Sequence, residues 1–102
     1  MNTIVVKPSH NARNLDSFEQ IIAQCRAVGF RGKFERVSSF QYIIITDGIS
    51  AVVADIDDVQ DHPSNTIARV DISFRNPRHL DANTLDIRWS SSNVRYRFFN
   101  FT

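Results

Sequence analysis

The stretch YIIITDGISAVVADI, residues 42–56, joins two apolar segments through an Asp-Gly pair. The first segment, Tyr42–Thr46, and the second, residues 49–56, are rich in β-branched residues, which favour strands. Asp47 and Gly48 between them tolerate the positive φ angles that a two-residue type I′ turn requires. The stretch therefore predicts an antiparallel hairpin with a tight turn at Asp47-Gly48.

A helix is predicted before this hairpin. Apolar residues recur over residues 15–28 at intervals of three, three, one, three and three, which is the pattern of an amphipathic helix. Asn14 or Asp16 can cap its start, and Gly29 can end it. Cys25 falls on the apolar stripe, so we interpret it as a small core residue.

The rest of the chain has the pattern of strands separated by polar loops. Each strand segment is short and either alternates apolar with polar residues or is rich in β-branched residues. Further strands are predicted at Thr3–Val6 and at residues 30–37, 66–74, 85–89 and 94–98. The polar segments 57–65, which contains Pro63, and 76–83 are predicted as loops.

The order of one strand, one helix and then several strands predicts an α+β fold. We expect a mostly antiparallel β-sheet with one amphipathic helix packed on it. Residues 66–102 contain enough strands for a second, small C-terminal sheet. With 102 residues the chain has the length of a single compact domain, 1–102, in which 1–60 and 66–102 are the candidate sub-lobes.

The sequence contains little that is typical of an enzyme. Three glycines are too few for a glycine-rich phosphate-binding loop. His10, His62 and His79 lie in predicted polar loops, without the helical His–Glu spacing of a zinc protease. Cys25 is the only cysteine, so it can form neither an internal disulfide nor a cysteine-based zinc site alone. We therefore expect no catalysis, no cofactor and no small-molecule substrate.

An acidic cluster, Asp55, Asp57, Asp58 and Asp61, precedes His62. Several carboxylates in one tight loop are typical of sites for hard cations. The segment lacks the glycine and the bidentate glutamate of an EF-hand, which favours a solvated loop or a contact with a basic partner.

The chain contains no run of eighteen apolar residues, so no membrane span is predicted. Residues 1–8 are too short and too interrupted for a signal peptide. A single cysteine fits a reducing compartment. We therefore expect a soluble intracellular protein of the cytoplasm or an organelle matrix.

Arginines and aromatic residues occur together near both ends of the chain. The net charge is only +1, but ten of the twelve basic residues are Arg, which binds phosphates and stacks on bases. Residues 51–82 carry six acidic and three basic groups, whereas 83–102 carry one acidic and three basic groups. The pattern is compatible with RNA binding, with protein binding, and with Arg–Asp pairs across strands.

Short motifs follow one another in the N-terminal half: VVKPS at residues 5–9, then GFRGKFERV at 29–37, then Tyr42–Thr46. This order resembles the N-terminal domain of the universal small-subunit ribosomal protein eight family. In that family a strand ending in Pro and Ser leads into a helix, a Gly-Phe or Gly-Tyr pair, a Phe-Glu-containing strand and a hairpin. Residues 90–93, SSSN, with the apolar segment 94–101, resemble a degraded form of the family's serine loop and final strand.

The resemblance implies a non-catalytic structural protein of a small ribosomal subunit, shortened as in organellar ribosomes, which binds rRNA and neighbouring ribosomal proteins. Arginines and the serine turn would contact phosphates. The alternative is a small protein–protein interaction module, such as a phage or mobile-element inhibitor or adaptor, with an exposed strand edge or aromatic patch. For either partner, the predicted binding residues are Arg31, Lys33, Arg88, Ser90, Ser91, Ser92, Asn93, Arg95 and Arg97.

Overall fold

The computed structural model describes residues 1–8, 16–63, 66–89 and 93–100. Within these ranges the chain forms six β-strands and two α-helices. In chain order they are β1 (Thr3–Val6), α1 (Phe18–Gln24), β2 (Arg26–Arg31), α2 (Phe34–Val37), β3 (Tyr42–Thr46), β4 (Ala51–His62), β5 (Arg69–Leu80) and β6 (Val94–Arg97). A short 3-10 helix, Ala82–Thr84, follows β5.

The strands form one curled sheet in the order β2-β5-β4-β3-β1-β6. β1 and β3 are parallel, and the other neighbouring pairs are antiparallel. This arrangement confirms the predicted α+β fold and its mostly antiparallel sheet. β5 and β6 belong to the same sheet as β1–β4, so the described part of residues 66–102 forms no second sheet.

The sequence of β3 explains its place inside the sheet. Ile43, Ile44 and Ile45 are all fully buried, although adjacent side chains of a strand point to opposite faces. Ile4 and Val5 of the neighbouring β1 are also fully buried. Both faces of the sheet must therefore be covered where β1 and β3 run side by side.

Different layers cover the two faces. α1 and α2 lie on one face, where Ile21 and Val37 pack in the same cluster as Ile43. On the opposite face, which we call the outer face, the chain after β5 packs Leu85 in a smaller cluster with Ile44. The helix face therefore holds the main core, and the outer face holds a second core formed by the C-terminal part of the chain.

The β3–β4 hairpin is confirmed, but its turn is longer than predicted. The last residue of β3 pairs with the first residue of β4, which leaves residues 47–50 in the turn. Asp47 Oδ1 accepts hydrogen bonds from the backbone N–H groups of Ile49 (2.9 Å) and Ser50 (2.7 Å). An aspartate that caps its own turn stabilises this longer loop, so a two-residue type I′ turn is not needed.

β4 and β5 are each twelve residues long, so most of the two predicted loops is strand. Residues 57–62 continue β4, and residues 75–80 continue β5. The register shifts twice between them: Asn76 and Pro77 of β5 lie opposite the single residue Ala54 of β4, and Asp57 is an extra residue on β4. Such bulges bend a strand pair, and they accommodate a proline that cannot donate to the ladder. The polar segments that were predicted as loops are therefore mostly the outer halves of two paired, bent strands.

α1 is shorter than the helix predicted at 15–28, whose first residue lies outside the described ranges. It begins after Ser17, which forms a capping box with Gln20. It ends at Cys25, whose left-handed conformation (φ 54°) caps the helix, whereas the predicted cap Gly29 lies within β2. Cys25 is half-buried against the main core. No helix in the described ranges is long and apolar enough to span a membrane.

Two strand predictions are wrong. Most of the predicted strand 30–37 follows β2, and Phe34–Val37 forms α2. Its two apolar residues are three apart, a spacing that also suits one helical turn, and Val37 is fully buried. Residues 85–89 alternate as predicted, but they cover the outer face without strand structure. In both segments, the apolar residues pack against a face of the sheet, and the backbone does not pair with a strand.

The curl of the sheet brings Tyr96 of β6 to the residue that follows β2. A Cβ atom added at Gly32 would lie 2.9 Å from the Tyr96 hydroxyl oxygen and 3.0 Å from Val37 Cγ2. Only glycine leaves room for so close an approach. Phe40 also packs edge-on against the Tyr96 ring, with 5.3 Å between the ring centres. Tyr96 therefore connects β6 with the chain after β2, although these two strands lie at opposite edges of the sheet.

Asp71 on β5 is a buried carboxylate that organises a bulge in β2. Its Oδ1 accepts the N–H of Gly29 at 2.9 Å and lies 2.8 Å from His62 Nδ1. Arg69 donates to the carbonyl of Gly29 at 2.7 Å. Gly29 has a φ of 77° where the β2–β5 register shifts. Side chains of β5 therefore satisfy both backbone groups of the bulged residue, as buried polar groups require.

The substitution Asp71→Ala should lower the free energy of unfolding by about 2–3 kcal/mol, because Gly29 N–H and His62 lose a buried hydrogen-bond partner. Equilibrium urea denaturation measures the change. The matched control Asp61→Ala removes an exposed aspartate of β4 and should alter stability by at most about 0.5 kcal/mol. An equally small effect for both variants would contradict this role of Asp71.

Candidate nucleic-acid interface

β6 is an edge strand, because it pairs only with β1 in the described sheet. Arg95 and Arg97 are two residues apart, so their side chains leave the strand on the same face, as predicted. Arg95 pairs with Val5 of β1, which belongs to the outer core. Both arginines therefore lie on the outer face of the sheet.

Each of these arginines folds back on the free edge of β6. The antiparallel register turns the carbonyl groups of Val94 and Tyr96 away from β1. Arg95 donates to the Val94 carbonyl at 2.8 Å, and Arg97 donates to the Tyr96 carbonyl at 2.9 Å. Charged side chains on an edge strand hinder pairing with another strand. The edge is therefore better suited to a ligand that recognises cations.

Trp89 lies on the outer face in contact with two cations. Lys7 Nζ is 5.7 Å from its ring centre, and Arg95 Cζ is 5.4 Å away. Arg95 also donates to the carbonyl of Arg88 at 3.3 Å. These contacts place Lys7 and Arg95 around one aromatic ring that is itself half-buried against the outer core, and Arg88 directly precedes that tryptophan in the chain.

Arg36 of α2 extends the positive charge to the other side of β6. Its guanidinium carbon lies 4.4 Å from the Tyr96 ring centre. Gly32 lies against the hydroxyl end of the same tyrosine, and its exposed chain neighbours are Arg31 and Lys33. Arg31 and Lys33 are therefore close to Tyr96 only through their chain neighbour Gly32.

The cations and rings around β6 form one surface, which we call the basic edge: Lys7, Arg36, Arg88, Trp89, Arg95, Tyr96 and Arg97. Within the described part of the chain, no carboxylate pairs with Lys7, Arg36, Arg88 or Arg97. Glu35 and Asp86 are close to this surface in sequence, but neither forms an ion pair there. The described carboxylates therefore leave the charges of these four basic residues unneutralised.

Two of the three arginines of β5, in contrast, are paired with aspartates of β4. Arg75 pairs with Asp57 at 2.9 Å, and Arg78 pairs with Asp55 at 3.1 Å. Both ion pairs lie beside the bulges that bend the β4–β5 hairpin. The predicted Arg–Asp pairing across strands is confirmed for these two arginines, and Arg26 of β2 lies 3.5 Å from Asp71 of β5 in a third pair. Lys7, Arg36, Arg88 and Arg97 have no such partner among the described residues.

The structure tests the remaining predicted binding residues only in part. The serine turn lies outside the described residues: Ser90, Ser91 and Ser92. Asn93 extends the β1–β6 ladder, since its carbonyl accepts the N–H of Lys7 at 2.9 Å. Lys7 and Arg36 are interface residues that the sequence prediction missed. Lys7 lies next to β6 because β1 pairs with β6 in the sheet, a pairing that the sequence pattern did not predict. Arg36 lies in a segment that was predicted to be a strand.

The acidic segment is part of β4, so the prediction of a loop is wrong there. Two of its aspartates hold arginines of β5, and Asp58 accepts a hydrogen bond from Gln60 at 3.2 Å. Among the residues that the structure describes, no three His, Cys, Asp or Glu side chains form a group that could hold a metal ion.

A groove of about 590 Å³ lies beside the β4–β5 connection and is lined by His62, Thr66 and Arg69, among others. A histidine oriented by a carboxylate is a feature of hydrolase active sites. Here, however, Asp71 also accepts the N–H of Gly29, and Arg69 donates to the same residue. We therefore assign this His–Asp pair to support of the β2 bulge.

No family model, curated protein or solved structure matches this chain. The resemblance to the ribosomal protein eight family therefore rests on the short motifs alone. Phe34 and Glu35, which correspond to a strand of that family, lie in α2, so the structure departs from the family pattern there.

Trp89 is the only tryptophan of the chain, so its fluorescence reports on the basic edge. Iodide should quench it more strongly than caesium at equal ionic strength, because nearby cations concentrate an anion. Lys7→Gln should lower the iodide quenching constant about twofold, as expected for a unit charge at this distance with salt screening. Lys33→Gln is the matched control and should leave it unchanged. Equal quenching by both ions would contradict this electrostatic description.

Proposed function

We propose that this chain is a non-catalytic RNA-binding protein that holds the RNA backbone along the basic edge. The observation that carries the proposal is the separation of charge. Arg75 and Arg78 of β5 are paired with aspartates, whereas Lys7, Arg36 and Arg97 have no carboxylate partner among the described residues. Such a surface attracts phosphates and gains affinity from the counterions that they release.

The geometry of β6 suits consecutive phosphates. Arg95 and Arg97 lie on one face, with roughly 6.6 Å between their Cα atoms in a regular strand. A guanidinium has five N–H donors, and Arg97 uses one of them on the Tyr96 carbonyl. That bond orients the side chain and leaves further donors for a phosphate. Such preorganisation reduces the entropy lost on binding.

Contacts of this kind position an RNA without reading its sequence. Because the net charge of the whole chain is only +1, attraction would come from the local surface rather than from the protein as a whole. A few phosphate contacts should therefore account for most of the salt dependence of binding.

The ribosomal resemblance directs the proposal to a structured RNA of a small ribosomal subunit, with neighbouring ribosomal proteins as further partners. The alternative is a protein-interaction module that uses an open strand edge or an aromatic patch. At β6, Arg95 and Arg97 cover the outward carbonyls of the edge, which favours RNA over an added strand.

Filter-binding titrations with a structured small-subunit rRNA fragment over a salt series test the proposal. Affinity should fall as salt rises, and Arg95→Ala/Arg97→Ala should make the slope shallower by roughly two units, about one per lost phosphate contact. The matched control Arg75→Ala/Arg78→Ala removes the same charge from arginines that are paired with aspartates. It should keep the slope of the wild type.

Circular dichroism of each variant establishes that the fold is retained. Weak binding with the same salt slope in the wild type and both double variants would contradict the proposal. That result would favour the protein-interaction alternative, because the arginines of β6 would then contribute nothing specific to RNA binding.

A further inference from the structure

A groove of about 400 Å³ opens where β6 ends, directly after Arg97. Its aromatic lining comes from Tyr42, Phe98 and Phe99. Its amide lining comes from Asn2, Gln41 and Asn100. The volume falls in the range of small-molecule sites, roughly 300–1,000 Å³. The groove therefore combines ring surfaces with hydrogen-bonding groups at one end of the basic edge.

Asn2 holds one wall of this groove in place. Its side-chain amide donates to the carbonyl of Phe99 at 2.7 Å, and its Oδ1 accepts the N–H of Phe99 at 3.0 Å. These two bonds act like a rung of a β-ladder between the start of β1 and the chain after β6. The groove is therefore a fixed part of the fold.

Two side chains of the groove are available to a ligand. Phe98 is 72% exposed, although phenylalanine is usually buried. Gln41 is exposed, and within the described residues its side-chain amide forms no hydrogen bond. A ring beside an amide that can both donate and accept suits a flat ligand with polar edges.

Cations border the groove. Arg97 precedes Phe98 directly in the chain. On the other side, Ser39, which lines the groove, donates its hydroxyl to the backbone carbonyl of Arg36 at 2.7 Å. The Arg36 guanidinium lies over the ring of Tyr96, two residues before Phe98. No acidic residue among those described lines the groove. The site therefore favours a ligand that carries negative charge beside its flat group.

We propose that this groove seats one unstacked nucleobase of a single-stranded RNA segment, with its flanking phosphates on Arg97 and Arg36. Phe98 stacks on the base, and Gln41 bonds to its polar edge, as in other sites for unpaired bases. A duplex base is already stacked and paired, so it cannot enter. The inference rests on the proposed function and adds that the RNA is bound at a loop, bulge or end.

Fluorescence titrations test whether the groove binds an unstacked base. One titration uses a short single-stranded RNA that carries a fluorescent adenine analogue, and the other uses the duplex of the same sequence. The wild type should bind the single strand roughly tenfold more tightly than the duplex and quench the analogue by stacking. Phe98→Ala should weaken single-strand binding roughly ten- to a hundredfold. Its salt slope should stay as in the wild type, because no phosphate contact is lost.

Two further variants sharpen the comparison. Phe98→Leu keeps an apolar side chain without a ring, and it should behave like Phe98→Ala if stacking is the interaction. Ile49→Ala is the matched control, since Ile49 in the β3–β4 turn is also a large, highly exposed apolar residue (87%). It should bind as the wild type does.

If Phe98→Ala binds the single strand as tightly as the wild type while Arg95→Ala/Arg97→Ala binds more weakly, the groove inference is overturned and the proposed function stands. Equal affinity of the wild type for single strand and duplex overturns the groove inference in the same way. If the wild type binds neither RNA, both proposals are overturned.

Discussion

The hydroxyl end of Tyr96 packs against Gly32, where a Cβ atom would come within 2.9 Å of the tyrosine oxygen. Because no side chain occupies that space, β6 approaches the chain after β2 and the sheet curls around α2. The curl sets Arg36 against the Tyr96 ring. In a flat sheet of six strands, β2 and β6 would be roughly 24 Å apart, too far to contact one small ligand.

Charged residues that support the bend of the β4–β5 hairpin are distinct from the cations gathered around β6. Four of the six acidic residues in the middle of the chain lie on β4, where Asp55 and Asp57 pair with arginines beside the two bulges. Those bulges bend the long β4–β5 hairpin, and the bend contributes to the curl. The aspartates are thereby held away from β6. Lys7, Arg36 and Arg97 have no carboxylate partner among the described residues, so positive charge is concentrated locally although the overall charge is close to zero.

Local patterns predicted the elements that depend on local sequence, such as β1 and the β3–β4 hairpin, and they placed Arg95 and Arg97 on one face. They failed where the same residue type is compatible with two different local structures. A glycine with positive φ can end a helix or occupy a bulge, so Gly29 was assigned to the helix end that Cys25 forms. Arg36 joins the interface only through tertiary contact with β6, which no periodicity within one segment could reveal.

The most direct test of the account is an NMR titration that follows the arginine Nε–H and Trp89 indole signals as single-stranded RNA is added. The account predicts that signals of Arg36, Arg97 and Trp89 shift together and saturate at one RNA concentration. Signals of Arg75 and Arg78, held by aspartates on β4, should stay in place. Shifts confined to Arg75 and Arg78, or no shift at all, would contradict the assignment of RNA binding to the basic edge.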